Sequence, residues 1–414
     1  MSDVQIGSYC CRSFAFSIRT DVAEAAGPLA MAFGDLTSEA SDGGPETSFE
    51  LIEGEGGVEL IIDGQPGARF TGVAGGVDHL VAVVNQRVLD ASSATLNLHA
   101  AALVDGENRT LLVPGVSGAG KTTLCGALVR AGLAYMSDEM IGIDPADLTL
   151  IGYPKALTVK AGSRALLGAD LDFGTFSVGD EAQTRWYVPV GALGDGGVRS
   201  TAAAHAVVFA RRVDGARPSL DTVSRAESAV RLLLNTFDLG RFGPEGLELV
   251  ARLVSTCRCA VATYDDVDAI LPLVTDLLAT AVDPAEFVLV AASEPSGRPI
   301  VGPINAASSP EPRRGVVAVL LEDGGVVYEP AEGRTLLLDR IGAAVWPMLD
   351  GRTMLADLAD ELTAHFDADA DEVRHDLVSL CRELAASGFV SGIEPSIEPP
   401  HWRTALAALD ERGP

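Results

Sequence analysis

Lysine is nearly absent from this chain. Of 30 basic side chains only Lys121, Lys155 and Lys160 are lysine, and all three fall between positions 121 and 160. Basic residues as a whole are scarce against 58 acidic ones, giving a net charge of −28. A surface that acidic repels phosphate backbones and anionic lipid, which argues against DNA, RNA or a membrane as partner, although acid excess also serves solubility alone. The six cysteines include Cys10-Cys11 and Cys257-Arg258-Cys259. Neither pair has zinc-site spacing and adjacent cysteines rarely bridge, so reduced thiols are expected. No apolar stretch reaches spanning length without a charge, and Met1-Ser2-Asp3-Val4-Gln5 is not a basic region followed by an apolar one. The expectation is a soluble cytoplasmic protein. With 414 residues, 47% of them apolar, the chain has core enough for two or three domains.

Residues 1–95 alternate short apolar runs (Phe14–Ile18, Ser48–Ile52, Val58–Ile62) with Gly, Asp and Pro turns, a β-rich pattern. Residues 96–282 read as mixed α/β, with strands at Leu111–Val113, Ala134–Met136 and Ala206–Ala210 and helices at Ala226–Asn235 and Pro244–Val254. Residues 283–312 are rich in Pro, Ser and Ala and read as a linker with one strand at Phe287–Ala291. Over 313–392 a hairpin signal, Val316–Leu321 and Val326–Tyr328 about Glu322-Asp323-Gly324-Gly325, precedes three amphipathic helices at Asp339–Leu349, Met354–Phe366 (Thr353 as N-cap) and Ala370–Ala386. Residues 393–414 form a tail with room for one short helix. The fold class is α/β with a small second domain of winged-helix type.

The strongest motif is Gly115-Val116-Ser117-Gly118-Ala119-Gly120-Lys121-Thr122, set between an apolar strand and a helical pattern that starts at Thr123. Strand, glycine-rich loop and helix is the context a phosphate-binding loop requires. Its glycines turn backbone N–H groups onto phosphates, and the helix N-terminus adds a positive dipole end. Lys121 would reach the β- and γ-phosphates, and Thr122 would ligate Mg²⁺. A chain that uses arginine nearly everywhere keeps lysine here, where a compact point charge fits and a planar fork does not. Gly115, Ser117, Gly118, Ala119, Gly120, Lys121, Thr122 and Thr123 are therefore the expected nucleotide contacts, with ATP and Mg²⁺ as cofactors. The next strand, Leu133-Ala134-Tyr135-Met136, delivers Ser137-Asp138-Glu139. Two carboxylates there could hold the metal and take a proton from an attacking hydroxyl. His99 precedes the loop by a strand and a turn; a lone histidine in an apolar strand is by itself more often a core residue.

His99, the loop and Asp138-Glu139 together resemble HPr kinase/phosphorylase and its bacterial relatives, well over 96–160 and weakly over 8–282. The separations match, apart from a slight difference between the histidine and the loop. The resemblance implies a P-loop fold of the HPr-kinase and phosphoenolpyruvate-carboxykinase type, with Asp138 as catalytic base and acid, His99 beside it, and Glu139 with Asp138 and Thr122 as metal ligands. The authentic enzymes carry aspartate at the position of Glu139 and a later Arg-Gly-rich signature that is missing here. Phosphorylase activity and HPr as acceptor are thus not implied. In place of that signature, Tyr153-Pro154-Lys155-Ala156-Leu157-Thr158-Val159-Lys160 is similar to a Pro-x-Ser-Leu-Lys segment of the relatives, which makes Lys155 and Lys160 candidate phosphate or substrate contacts.

Residues 313–392 resemble PqqD-like peptide-binding modules, the RiPP recognition elements. Leu338-Asp339-Arg340-Ile341-Gly342-Ala343-Ala344-Val345-Trp346, Leu349-Asp350-Gly351-Arg352-Thr353, Val378–Leu384 and Ser387-Gly388-Phe389-Val390 carry that resemblance. Such modules take a precursor's leader peptide as an added strand at the sheet edge. The joint expectation is an ATP-dependent kinase that phosphorylates Ser or Thr of a ribosomally made precursor peptide, with other peptide-modifying enzymes as further partners. The competing readings are a nucleotide-regulated peptide chaperone, and a kinase of another protein or a small molecule. Monomer and homo-oligomer stay equally open.

Overall fold

The computed structural model describes residues 4–36, 47–115, 118–167, 171, 177–178, 185–291, 302–365 and 369–392. The chain forms two compact units: residues up to Asp221 together with Ala260–Val282, and Thr222–Cys259 together with the chain from Asp283 onward.

The first unit opens with β1 (Val4–Cys11), β2 (Phe14–Thr20), α1 (Ala23–Phe33), β3 (Thr47–Gly54), β4 (Gly57–Ile62), β5 (Gln65–Phe70) and α2 (Val73–Ala91). The strands lie in the order β1-β2-β3-β4-β5. Only β2 and β3 run parallel, with α1 between them in sequence as such a crossover demands. Phe16, Phe33 and Phe49 close edge-to-face in the core under this sheet. The sequence pattern does not announce α2, because Gly75-Gly76 reads as a turn. In the fold, Val77, Leu80, Val81, Val84 and Val88 make one buried helical stripe. The glycine has a packing reason. A Cβ on Gly76 would lie 2.5 Å from Val58 and 3.0 Å from Leu51, so only glycine lets the helix sit this close to the sheet.

A second sheet follows. Its elements are β6 (Leu96–Leu98), β7 (Ala100–Val104), β8 (Thr110–Pro114), α3 (Lys121–Arg130), β9 (Ala134–Ser137), β10 (Ile141–Ile143) and β11 (Thr149–Ile151). Next come β12 (Leu157–Val159), α4 (Ala161–Arg164), β13 (Ser177–Val178), β14 (Arg185–Val188), α5 (Val190–Leu193), β15 (Thr201–Arg212) and β16 (Ser219–Thr222). The helices α6 (Arg225–Leu233), α7 (Leu239–Phe242) and α8 (Pro244–Ser255) intervene before β17 (Arg258–Tyr264) and α9 (Val267–Ala279). The main path of the sheet is β6-β10-β11-β15-β8-β7-β9, extended from β15 by β17 and β16, while β12-β14-β13 form a small sheet of their own. Strands β7 and β8 are buried at every residue, which explains their unbroken apolar runs. Leu124 and Leu128 of α3 share a core with Val267, Ile270, Val274 and Leu278 of α9.

In the second unit β18 (Phe287–Ala291), β19 (Val317–Leu321), β20 (Gly324–Glu329) and β21 (Arg334–Leu338) form an antiparallel sheet in that order. It precedes α10 (Arg340–Val345), α11 (Leu355–His365) and α12 (Ala370–Ala386). β18 and the stretch from residue 302 lie in the segment read as a linker, yet they are built into this unit. β18 pairs with β19 along its whole length, Ile304 is fully buried, and Pro312 bridges Val390. Ala318 and Val327 face the core made by α10, α11 and α12. Their neighbours Val317, Val319, Val326 and Tyr328 point the other way and are equally buried, against α6 and α8. The helices start at side-chain caps. Asp339 accepts from Gly342 N–H at 2.7 Å, and Asp369 from Asp371 and Glu372 N–H at 2.9 and 3.1 Å. Ahead of α11, Asp350 accepts from the N–H of both Arg352 and Thr353.

The Gly76 contact yields a first prediction. Gly76→Val should lower stability by about 1–3 kcal/mol through overpacking against Val58. Urea denaturation checks this, and an unchanged midpoint would contradict the close helix–sheet approach.

Candidate active site

β7 runs antiparallel to both β8 and β9, with Ala101 opposite Val113 and Ala102 opposite Ser137. The ends of β8 and β9 therefore meet at one sheet edge, where β7 begins and where His99 sits just before it. The loop leaves β8 there and Asp138 leaves β9. Gly118 and Gly120 have φ of 95° and 94°, conformations that favour glycine and let consecutive N–H groups face a common anion. Gly120 also leads directly into the first turn of α3. Ser117 lies outside the described residues. Ala119 packs beside Gly115, and Thr123 is buried in the first turn.

Lys121 is 5% exposed and its ammonium donates to the carbonyl of Gly115 and, at 3.3 Å, to His99 Nε2. An ammonium has no lone pair, so Nε2 must be the accepting nitrogen and His99 the neutral Nδ1–H tautomer. Burial and the Lys121 charge push His99 down to about 4, which agrees with a neutral ring at pH 7. Burial likewise lowers Lys121 to about 8, opposed by Glu139 and Asp138, so it remains mostly cationic at pH 7. His99 thus orients the lysine and is no cationic phosphate contact.

Asp138 is 4% exposed and held on every side. Oδ1 accepts from the Tyr135 hydroxyl at 2.9 Å and faces Lys155 Nζ at 3.7 Å. Oδ2 accepts from the Thr122 hydroxyl at 3.3 Å and from Thr158 N–H at 3.4 Å. Lys155, expected from the sequence as a phosphate or substrate contact, is 0% exposed. Its ammonium donates to Thr158 Oγ1 at 2.9 Å and lies 4.0 Å from Glu139 Oε2, so it compensates the acidic pair from within the core. Lys160, by contrast, is exposed and lines the cavity. Tyr135, Thr158 and Lys155 in this internal role escaped sequence reasoning. The available signal was a tyrosine in an otherwise apolar buried strand, which needs a partner for its hydroxyl.

A cavity of about 780 Å³ opens over these groups. Gly118, Gly120, Lys121, Thr122, Asp138 and Glu139 line it, together with Arg212, Asp78, Asn85 and Tyr187. Its size suits a nucleotide-sized ligand. The oxygen donors of Thr122, Asp138 and Glu139 suit a hard cation. Among the described residues no group of three or more His, Cys, Asp or Glu is placed to hold a metal ion.

Residues 324–390 match the PqqD family, described as Coenzyme PQQ synthesis protein D. The match covers β20 through α12 and Val390, so the C-terminal part of the chain carries a PqqD domain. No curated protein matches the chain. No helix among the described residues is long and apolar enough to cross a membrane.

Two outcomes follow for the site. Lys155→Met leaves a buried carboxylate without its cation and should cost about 3–5 kcal/mol, most of it recovered in Lys155→Met/Asp138→Asn. A double-mutant cycle by urea denaturation reads the coupling, and additivity would refute it. For His99, the folded ring resists protonation down to about 4 while the unfolded ring follows its ordinary value of 6.5. The ring adds no pH dependence above 6.5, and stability falls as pH drops from there toward 4, where the unfolded chain binds the extra proton. His99→Gln should flatten that limb of the stability profile; an unaltered slope would count against a buried neutral ring.

Proposed function

We propose that the chain is an ATP-dependent kinase acting on a Ser or Thr hydroxyl of a ribosomally made precursor peptide whose leader is captured by the PqqD domain. The observation that carries the catalytic half is the Asp138 carboxylate 3.3 Å from the Thr122 hydroxyl, beside Lys121, at the mouth of a glycine-rich loop that opens a helix. Phosphoryl transfer asks a protein for positioning, charge neutralisation and a proton acceptor, and this set offers all three. The loop N–H groups and Lys121 would hold the phosphates, and Thr122, Asp138 and Glu139 would hold Mg²⁺. Bound Mg²⁺ supplies neutralisation of charge on the β- and γ-oxygens. Asp138, kept in register by Tyr135, Lys155 and Thr158, would orient the attacking hydroxyl and take its proton. His99 would keep Lys121 aimed at the phosphates.

The peptide half rests on the PqqD domain. β21 ends the order of its sheet, so among the described residues its outer edge is open to an added strand. Leader capture raises the local concentration of the acceptor, and the catalytic pocket then needs little affinity of its own. The same domain also favours a second reading, a nucleotide-regulated peptide chaperone.

Mass spectrometry after incubation with Mg-ATP and candidate precursor peptides separates the two. The expected result is phosphate gain on Ser or Thr that falls at least about 100-fold in Asp138→Asn, with nucleotide and leader affinity retained. Leader binding without phosphate gain on any peptide would overturn the kinase and leave the chaperone.

A further inference from the structure

At about 780 Å³ the cavity is larger than a phosphate site requires. β15 and β9 lie on opposite sides of the loop strand β8, so Arg212 at the end of β15 and Asp138 after β9 flank the loop from opposite directions. Phosphates lying on the loop with the reactive group toward Asp138 send the rest of the nucleotide toward Arg212. An acceptor hydroxyl must then approach Asp138 from the side that the nucleotide leaves free.

That side is built by α2 and β14. β12 pairs with β14 so that Thr158, whose N–H touches Asp138, stands directly opposite Tyr187. The Tyr187 hydroxyl donates to Asp78 Oδ1 at 2.7 Å, and Arg185 pairs with Asp78 Oδ2 at 2.8 Å. Both acceptor oxygens of Asp78 are thereby satisfied and its charge is neutralised. One helical face of α2 carries Asp78, Val81, Ala82 and Asn85 into the cavity, at the i, i+3, i+4 and i+7 spacing that places residues in a line. Asn85 Oδ1 accepts from the fully buried Tyr153 hydroxyl at 2.9 Å. That bond fixes the amide so that its NH₂ is the group left to donate, and it makes no hydrogen bond to another described residue.

Resting on the kinase reading, we propose that this α2 face is the acceptor subsite and that it takes an extended peptide segment with uncharged flanks. The Asn85 NH₂ donates to a backbone carbonyl of that segment, and the Val81–Ala82 shelf seats the hydroxyl-bearing residue against Asp138. The acceptor oxygen forms a bond to the γ-phosphorus as the bond to the β,γ-bridging oxygen breaks. ADP leaves with that electron pair, and the hydroxyl proton passes to the Asp138 carboxylate. An amide donor matched to a carbonyl, beside an Asp78 carboxylate already paired with Tyr187 and Arg185, fits a peptide backbone better than a charged metabolite.

The test uses the full chain with Asn85→Asp, which replaces the donor by an acceptor at equal volume, and Ala82→Trp, which fills the shelf from an exposed helix position. Titration calorimetry with Mg-ADP should show affinities within about twofold of the parent. With N-acetylated hexapeptides bearing a central serine, kcat/KM for phosphate transfer should fall at least about tenfold in both variants, the size expected for one lost hydrogen bond to a peptide carbonyl. A comparable loss of Mg-ADP affinity would assign this end to the nucleoside and overturn the proposal, as would unchanged kcat/KM. If the parent transfers phosphate neither to these peptides nor to leader-bearing precursors, the kinase reading fails on its own. Peptide affinity of the Mg-ADP-loaded parent then decides: binding lost in both variants sustains the subsite, and binding unchanged or absent in the parent overturns it.

Discussion

A carboxylate buried beside a glycine-rich loop is a costly thing to build. Asp138 has lost its water, and an isolated charge in that position would destabilise its surroundings. The chain answers with a cation that is itself wholly buried, Lys155, and with three hydrogen-bond donors drawn from β9, α3 and β12. Each donor ties a separate element to one side chain. The geometry of the site and the packing of the surrounding sheet are consequently a single problem, solved together.

The sheet order provides the rest. Because β7 lies antiparallel between β8 and β9, a loop that follows one strand and an acid that follows the other emerge together. The mixed directions around β8, parallel to β15 and antiparallel to β7, set this sheet apart from an all-parallel doubly wound sheet. Burial then tunes the basic groups in one direction. Both His99 and Lys121 lose affinity for protons, so the histidine is a neutral acceptor holding a lysine that has little solvent to wander into.

Much of this was legible in the sequence, for identifiable reasons. The loop and the pair Asp138-Glu139 are local signals, each flanked by apolar runs, and local signals survive without knowledge of the fold. The hairpin and helices of the C-terminal part were legible because capping residues and helical periodicity mark them. Three things were not. Gly75-Gly76 disguised α2, since a glycine demanded by a neighbouring strand looks the same as one demanded by a turn. β21 hid in Thr335-Leu336-Leu337-Leu338, a short run continuous with the following helix. Lys155 read as a phosphate or substrate contact because nothing nearby in sequence reveals that Asp138 will fold over it.

The second unit takes its members from two stretches of chain, Thr222–Cys259 and the part beyond Asp283. One face of its sheet is covered by α6 and α8, which are encoded between strands of the first unit. The PqqD part is therefore not a cassette. A recombination event that transplanted residues 313–392 alone would carry away β19, β20 and β21 and leave β18 and half of their cover behind. The stretch Thr222–Cys259 must travel with the C-terminal strands for that sheet to keep both of its faces covered.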